Sequence, residues 1–265
     1  MYATSYHRAS SVEDAVNLKG QHEEGRYLSG GMTLIATMKQ RLAAPSDLID
    51  LRHIPDLKGV SIDGGNVRIG AGTPHADVAA SSLLRSVCPA ICDLAGMIGD
   101  PHVRHMGTLG GSIANNDPAA DYPAAILALG ATIITDRRWI AADEFFAGLF
   151  ETALEEGEMV TAVTFEAPEK AGYAKFANPA SRFALVGVFV ARKAEGVRVA
   201  VTGAGANGVF RHTGMEERLS ASWSPEAVGD AEVEPAAMLS DMHADAHYRA
   251  NLVRVMAKRA VIAAG

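Results

Sequence analysis

Ser29-Gly30-Gly31-Met32-Thr33 lies between a short apolar run, Arg26-Tyr27-Leu28, and a helix-permissive stretch that opens at Leu34. Two glycines let a backbone approach a ligand and turn its amides inward, the hydroxyls of Ser29 and Thr33 add donors, and a helix N-terminus favours an anion. That combination suits a phosphate. An ordinary turn with Thr33 as the helix cap would use the same residues. A second group, Gly107-Thr108-Leu109-Gly110-Gly111-Ser112, again sets glycines beside hydroxyls. Two such turns suit the two phosphates of a dinucleotide pyrophosphate.

Other groupings are weaker. Gly203-Ala204-Gly205-Ala206-Asn207-Gly208 has the spacing of a dinucleotide-binding fingerprint, but no convincing helix follows it and no βαβ unit surrounds it, so it reads as a glycine turn between strands. Asp241, His243, Asp245 and His247 alternate and would share one face if extended, where a metal could bind; a solvated linker is the plainer expectation. Cys88 and Cys92, the only two cysteines, read as small core residues on a helix. His102 and His105 flank Arg104 and are expected at the surface or beside a phosphate rather than in catalysis.

The elements that would position these groups follow from local patterning. A capped helix over 11–18, a strand at 26–28, a helix over about 34–42 and a buried strand at 48–51 form a small α/β unit. Residues 59–72 carry a hairpin signal around Gly64-Gly65, followed by helical patterning over 75–81 and 90–98. Residues 100–123 hold several prolines and glycines and few large apolar groups, which predicts a long irregular functional loop. A helix over 124–129 and a strand at 132–135 come next. Beyond Pro168, strands are expected at 173–176, 184–192 and 197–201, with an amphipathic helix over 248–264. The expected division is 1–55, 56–170 and 171–265.

Composition sets the outer limits. The chain has 265 residues, 48% of them hydrophobic and 21% charged, which is globular rather than disordered. A formal charge of −7 gives no general attraction to nucleic acid or anionic lipid. Two cysteines cannot supply the four thiolates of an iron-sulfur cluster. With no signal-like N-terminus and no apolar run of roughly 18 residues, a cytoplasmic location is expected.

The run SGGMTLIATMKQRLAAPSDLIDLRHI at 29–54 and the run DPHVRHMGTLGGSIANNDPAADYP at 100–123 occur in the order of two signatures of a known family. The chain resembles the FAD-binding medium subunit of molybdenum hydroxylases, above all that of aerobic carbon monoxide dehydrogenase, with the flavin domain of xanthine dehydrogenase more distantly similar. The resemblance covers essentially the whole chain. It implies an α+β protein: a two-subdomain FAD-binding fold of the vanillyl-alcohol-oxidase type, then a C-terminal α+β domain. It implies noncovalent FAD with its pyrophosphate at Ser29, Gly30, Gly31, Met32, Thr33 and Leu34 and at Thr108, Leu109, Gly110, Gly111 and Ser112. Asp121 matches a carboxylate expected to accept from a sugar hydroxyl, and Asp117 shares its loop, where capping a turn is the alternative. Lys175 and Phe183 match positions near the flavin. At Phe183 the family commonly has a tyrosine, and Arg182 stands where a carboxylate is usual. The resemblance further implies a large molybdopterin subunit and a small [2Fe-2S] subunit as partners, with FAD passing their electrons to an external acceptor and no metal held by this chain. A free-standing FAD oxidase or dehydrogenase is the alternative from another class, and an assembly protein that has lost FAD a third.

Overall fold

The computed structural model describes residues 1–265. The N-terminal part is a three-stranded parallel sheet in the order β1 (Ser5–Arg8), β3 (Asp47–Asp50), β2 (Arg26–Leu28). Helix α1 (Val12–Gln21) makes the β1-to-β2 crossover; its N-cap Ser11 accepts from the Asp14 amide at 3.0 Å. After β2, the chain turns through the first glycine pair into α2 (Leu34–Lys39). That helix ends earlier than the pattern over 34–42 predicts, at Gln40 and a left-handed Arg41 (φ 62°).

The middle part is built on an antiparallel sheet in the order β4 (Val60–Asp63), β5 (Asn66–Gly70), β10 (Val160–Glu166), β6 (Thr132–Thr135), β7 (Trp139–Ala141). Between β5 and β6 run six short helices: α3 (His75–Ala80), α4 (Ser82–Val87), α5 (Pro89–Gly96), α6 (Pro101–Met106), α7 (Leu109–Asn115) and α8 (Tyr122–Ala128). Two of them, α6 and α7, correct the expectation of an irregular segment at 100–123. Pro101 occupies the first turn of α6, where its missing N–H is no loss, and Asp100 caps that helix by accepting from the Val103 amide. Thr108 caps α7 in the same way through Gly111. Residues that read as breakers are here start signals. The short α9 (Ala142–Phe145) and the ribbon β8 (Phe146–Gly148), β9 (Glu151–Thr152) complete this part.

The C-terminal part is an antiparallel sheet in the order β11 (Lys170–Ala177), β12 (Ala184–Lys193), β13 (Gly196–Thr202), β14 (Phe210–Arg211), joined by α10 (Thr213–Ala221) and α11 (Ala246–Ala264). Strand β12 is buried on both faces. Val186, Val188 and Val190 face a core shared with α11, while Phe189 and Ala191 join the core of the middle part. The six-residue stretch 203–208 is a turn between strands, as its sequence suggests; the Arg249 guanidinium donates to the Leu185 and Gly203 carbonyls at 2.7 Å each. Residues 241–247 are not a strand. Asp241 accepts from the amides of His243 and Ala244 and pairs with Arg249, and Asp245 caps α11. Cys88 and Cys92 are buried and free. No helix is long and apolar enough to cross a membrane.

Glu158, just ahead of the central strand β10, ties that strand's start to the β6–β7 turn. Its carboxylate accepts from Arg138 at 3.0 Å through both oxygens, from the Thr135 hydroxyl at 2.8 Å and from the Glu155 amide at 2.8 Å. The Arg138 guanidinium and these hydrogen bonds hold its pKa down from 4.5 to about 2. A carboxylate depressed in the folded state stabilises above its unfolded pKa, and that stabilisation disappears as pH falls from 4.5 towards 2. We expect Glu158→Gln to lower stability at pH 7 and to flatten the stability profile over that acid window, measured by denaturant unfolding at a series of pH values. Parallel profiles for the two proteins would contradict this assignment.

Candidate functional site

A cavity of about 640 Å³ opens where the N-terminal and middle parts meet, with the 181–183 loop of the C-terminal part at its rim. Its size and its many backbone-lined surfaces suit a bound cofactor. The two glycine turns touch one another there. A Cβ on Gly30 would lie 2.2 Å from the Met106 carbonyl oxygen and 2.7 Å from the Gly107 Cα, so only glycine permits the approach. The hydroxyls of Ser29 and Thr108 hydrogen-bond across the contact at 2.9 Å.

The turns then differ. No backbone amide from Gly30 to Leu34 donates to another group of the protein. Thr33 occupies the N-cap position of α2, but its hydroxyl caps no amide. Gly31 holds φ at +72°, which bends this row of open N–H groups, and Met32 and Thr33 are exposed. In the second turn the amides are already committed: Leu109 to the Thr73 carbonyl at 3.2 Å, Gly110 to the Ala71 carbonyl at 2.8 Å, Gly111 to the Thr108 hydroxyl at 3.1 Å and Ser112 to the Thr108 carbonyl at 3.0 Å. The expectation of two equivalent amide cradles is therefore corrected. The first turn keeps its amides free of protein acceptors, and the second is a platform that presents hydroxyls and the exposed Gly111 backbone.

Of the residues singled out from sequence, Ser29, Gly30, Gly31, Met32, Thr33, Leu34, Thr108, Gly110, Gly111, Ser112, Asp117, Asp121 and Phe183 line the cavity, whereas Leu109 and Lys175 do not. Leu109 is fully buried in the core of the middle part, because the helical turn it begins points it inward. Lys175 is turned away: its ammonium donates to Asp121 at 2.9 and 3.1 Å and to the Met97 carbonyl at 2.9 Å. Asp121 also accepts from the Tyr173 hydroxyl at 2.5 Å. Burial pushes the Asp121 carboxyl up from its ordinary range, with the Lys175 charge and the two donors pulling the other way. Three hydrogen bonds from the C-terminal sheet thus occupy a carboxylate whose sequence context suggested a sugar contact. Asp117 accepts from the Ala119 amide at 2.9 Å, a turn cap at the cavity wall.

The 178–183 loop is closed on itself. Asn178 Oδ1 accepts from the Ala180 and Ser181 amides, and Arg182 sits at φ 63°, which leaves Phe183 half exposed at the rim. The Arg182 guanidinium donates to the Gly99 carbonyl at 3.3 Å and so bridges the rim to the α6 side.

His75 and Glu158 also line the cavity and were not found from sequence. His75 is 5% exposed, its Nδ1 has no partner, and burial together with the nearby Arg104 pushes its pKa down to about 4, so it is a neutral imidazole at pH 7. The signal for it was local: it begins α3 directly after Gly70-Ala71-Gly72-Thr73-Pro74. Glu158 carried no such signal.

Residues 2–167 match the family described as the FAD-binding domain in molybdopterin dehydrogenase. The carbon monoxide dehydrogenase medium chain of Hydrogenophaga pseudoflava is 34% identical over 98% of this chain and 96% of its own length. The nicotine 6-hydroxylase medium subunit of Paenarthrobacter nicotinovorans is 33% identical over 99% of this chain and 98% of its own. The solved carbon monoxide dehydrogenase from Hydrogenophaga pseudoflava contains a chain that superposes with a TM-score of 0.90 at 35% identity, covering 99% of this chain and 97% of that one. The chain belongs to the FAD-binding family of the molybdopterin dehydrogenases, and its fold is that family's FAD-binding domain followed by a C-terminal domain. It is an oxidoreductase chain of the medium-subunit type, similar along its whole length to those of carbon monoxide dehydrogenases.

Among the cavity-lining glycines, the contacts separate those pressed against neighbouring backbone from one with more room. A Cβ on Gly110 would lie 2.5 Å from the Ala71 Cβ and 2.8 Å from its carbonyl oxygen, whereas on Gly111 the nearest atom is the Thr108 hydroxyl at 3.0 Å. Gly30→Ala and Gly110→Ala are expected to unfold at clearly lower temperature, by roughly 1–3 kcal/mol of overpacking, while Gly111→Ala changes melting little. Thermal unfolding of the three purified variants checks the order, and a Gly111→Ala protein as unstable as Gly110→Ala would contradict it.

Proposed function

We propose that this chain is the FAD-carrying electron-transfer subunit of a molybdenum hydroxylase complex of the carbon monoxide dehydrogenase type. The observation that carries the reading is the open row of amides from Gly30 to Leu34, set at a helix start inside a cavity bounded by all three parts of the chain. A pyrophosphate fits that row. Ser29 and Thr33 would add hydroxyl donors, Gly111 would allow close approach from the opposite wall, and Phe183 would cover the flavin at the rim. FAD, when bound, supplies the redox chemistry, taking up and releasing electrons. The protein's own work is position and electrostatics: Arg182 brings a cation to the rim, and neutral His75 offers an uncharged polar edge.

In this reading a small subunit with two [2Fe-2S] clusters delivers electrons, and a large molybdopterin subunit oxidises the substrate. Relatives named for carbon monoxide and for nicotine have nearly equal identity to this chain. Substrate choice accordingly belongs to the large subunit, and this chain hands electrons to an external acceptor whichever substrate supplies them.

Two measurements test the reading. Acid precipitation of the purified yellow protein is expected to release FAD into the supernatant, since nothing near the open row of amides calls for a covalent link; colour retained in the pellet would contradict this. Gly31→Val, which forces a β-branched residue to φ +72°, is expected to lose FAD by at least tenfold in affinity. In the assembled complex it should abolish reduction of the external acceptor. Turnover of a small substrate by the isolated FAD-loaded chain would favour a free-standing oxidase instead.

A further inference from the structure

His7, His22 and Asp47 stand 15 to 40 residues apart in the chain, yet their ligand-capable atoms all lie within 4.8 Å of one another. The βαβ unit brings them together. His7 is on β1 and Asp47 begins the adjacent β3, while α1 runs back over the sheet and ends at His22, its C-cap, beside the strand starts. His7 Nε2 is 2.6 Å and His22 Nδ1 3.4 Å from the same Asp47 oxygen. The two imidazole rings lie 4.4 Å apart, 30° from parallel. The other Asp47 oxygen accepts from the Ser46 hydroxyl at 2.6 Å, which fixes the carboxylate. The histidines are about a quarter to a third exposed, so the site is open to solvent.

We propose that these three side chains form a binding site for a divalent transition-metal ion of the zinc type. Two imidazoles and one carboxylate are a donor set that zinc, cobalt and nickel accept, with water completing the shell. Ligand atoms about 2.0–2.1 Å from a tetrahedral ion lie roughly 3.4 Å apart, the separation His22 and Asp47 already have. The His7–Asp47 hydrogen bond would open by less than about 1 Å as the metal replaces its proton. None of the three residues lines the large cavity: Asp47 starts β3 and His22 ends α1 ahead of β2, whereas the open amide turn follows the C-terminal end of β2. The ion therefore acts as a clasp joining β1, the end of α1 and β3, rather than as a redox partner. Its effect is on the stability of the N-terminal part.

The test is a titration of chelator-treated, FAD-loaded protein with Zn²⁺, followed by thermal unfolding, and with Co²⁺, followed by its visible d–d bands. The unfolding temperature should rise with Zn²⁺ concentration and one equivalent of Co²⁺ should develop a visible spectrum. His22→Gln, at the C-cap of α1, should weaken both by at least about tenfold, and His7→Gln should do the same. His243→Gln and His247→Gln should leave them unchanged, and the flavin spectrum reports folding throughout. No response in the wild type, or a response that survives both His22→Gln and His7→Gln, would overturn the proposal and leave the trio as a hydrogen-bonded cluster only.

Discussion

The architecture of this chain turns on one contact, the bare Cα of Gly30 against the Met106 carbonyl, locked by the Ser29–Thr108 hydroxyl pair. It brings the end of the parallel sheet onto the helical middle part at a distance no side chain would allow, and the cavity is the space left beside that contact. It also accounts for the division of labour between the turns. The second turn spends its amides on Thr73, Ala71 and its own cap, which anchors it to the end of β5 as a rigid floor. The first turn rests on that floor and keeps its amides open.

The C-terminal part is fastened to the same region by a buried ion pair. Lys175 and Tyr173 of β11 reach Asp121 at the start of α8, and Lys175 also takes the Met97 carbonyl. Removing one partner of such a pair strands the other charge, at a cost of about 3–5 kcal/mol. The pair holds the 178–183 loop, and with it Phe183 and Arg182, over the cavity mouth. Asp121, which also lines the cavity, is thus the joint that sets the third wall.

Most of the fold was legible because it follows local rules. The Gly64-Gly65 hairpin, the apolar β12 and the long α11 all lie where their patterns predict. The helices at 101–115 were not legible, since proline at a first turn and glycines within a helix look like breakers until their capping residues are seen in place. The glycine turn ahead of α2 was legible as a turn. That the amides of the second turn are consumed was not, because their acceptors, Ala71 and Thr73, belong to a distant strand end. Glu158 and the His7–His22–Asp47 cluster depend on tertiary approach alone, and His75 was visible only as the first residue of α3. Lys175 lay in the right segment, but its partner decides its direction.

Amide hydrogen exchange, resolved by residue and compared with and without FAD, tests the central distinction between the two turns most directly. Fast exchange is expected from Gly30 to Leu34 in the FAD-free protein, strong protection there when FAD binds, and slow exchange at Leu109–Ser112 in both states. Protection that appears on FAD binding at Leu109–Ser112 while Gly30–Leu34 stays unchanged would contradict it.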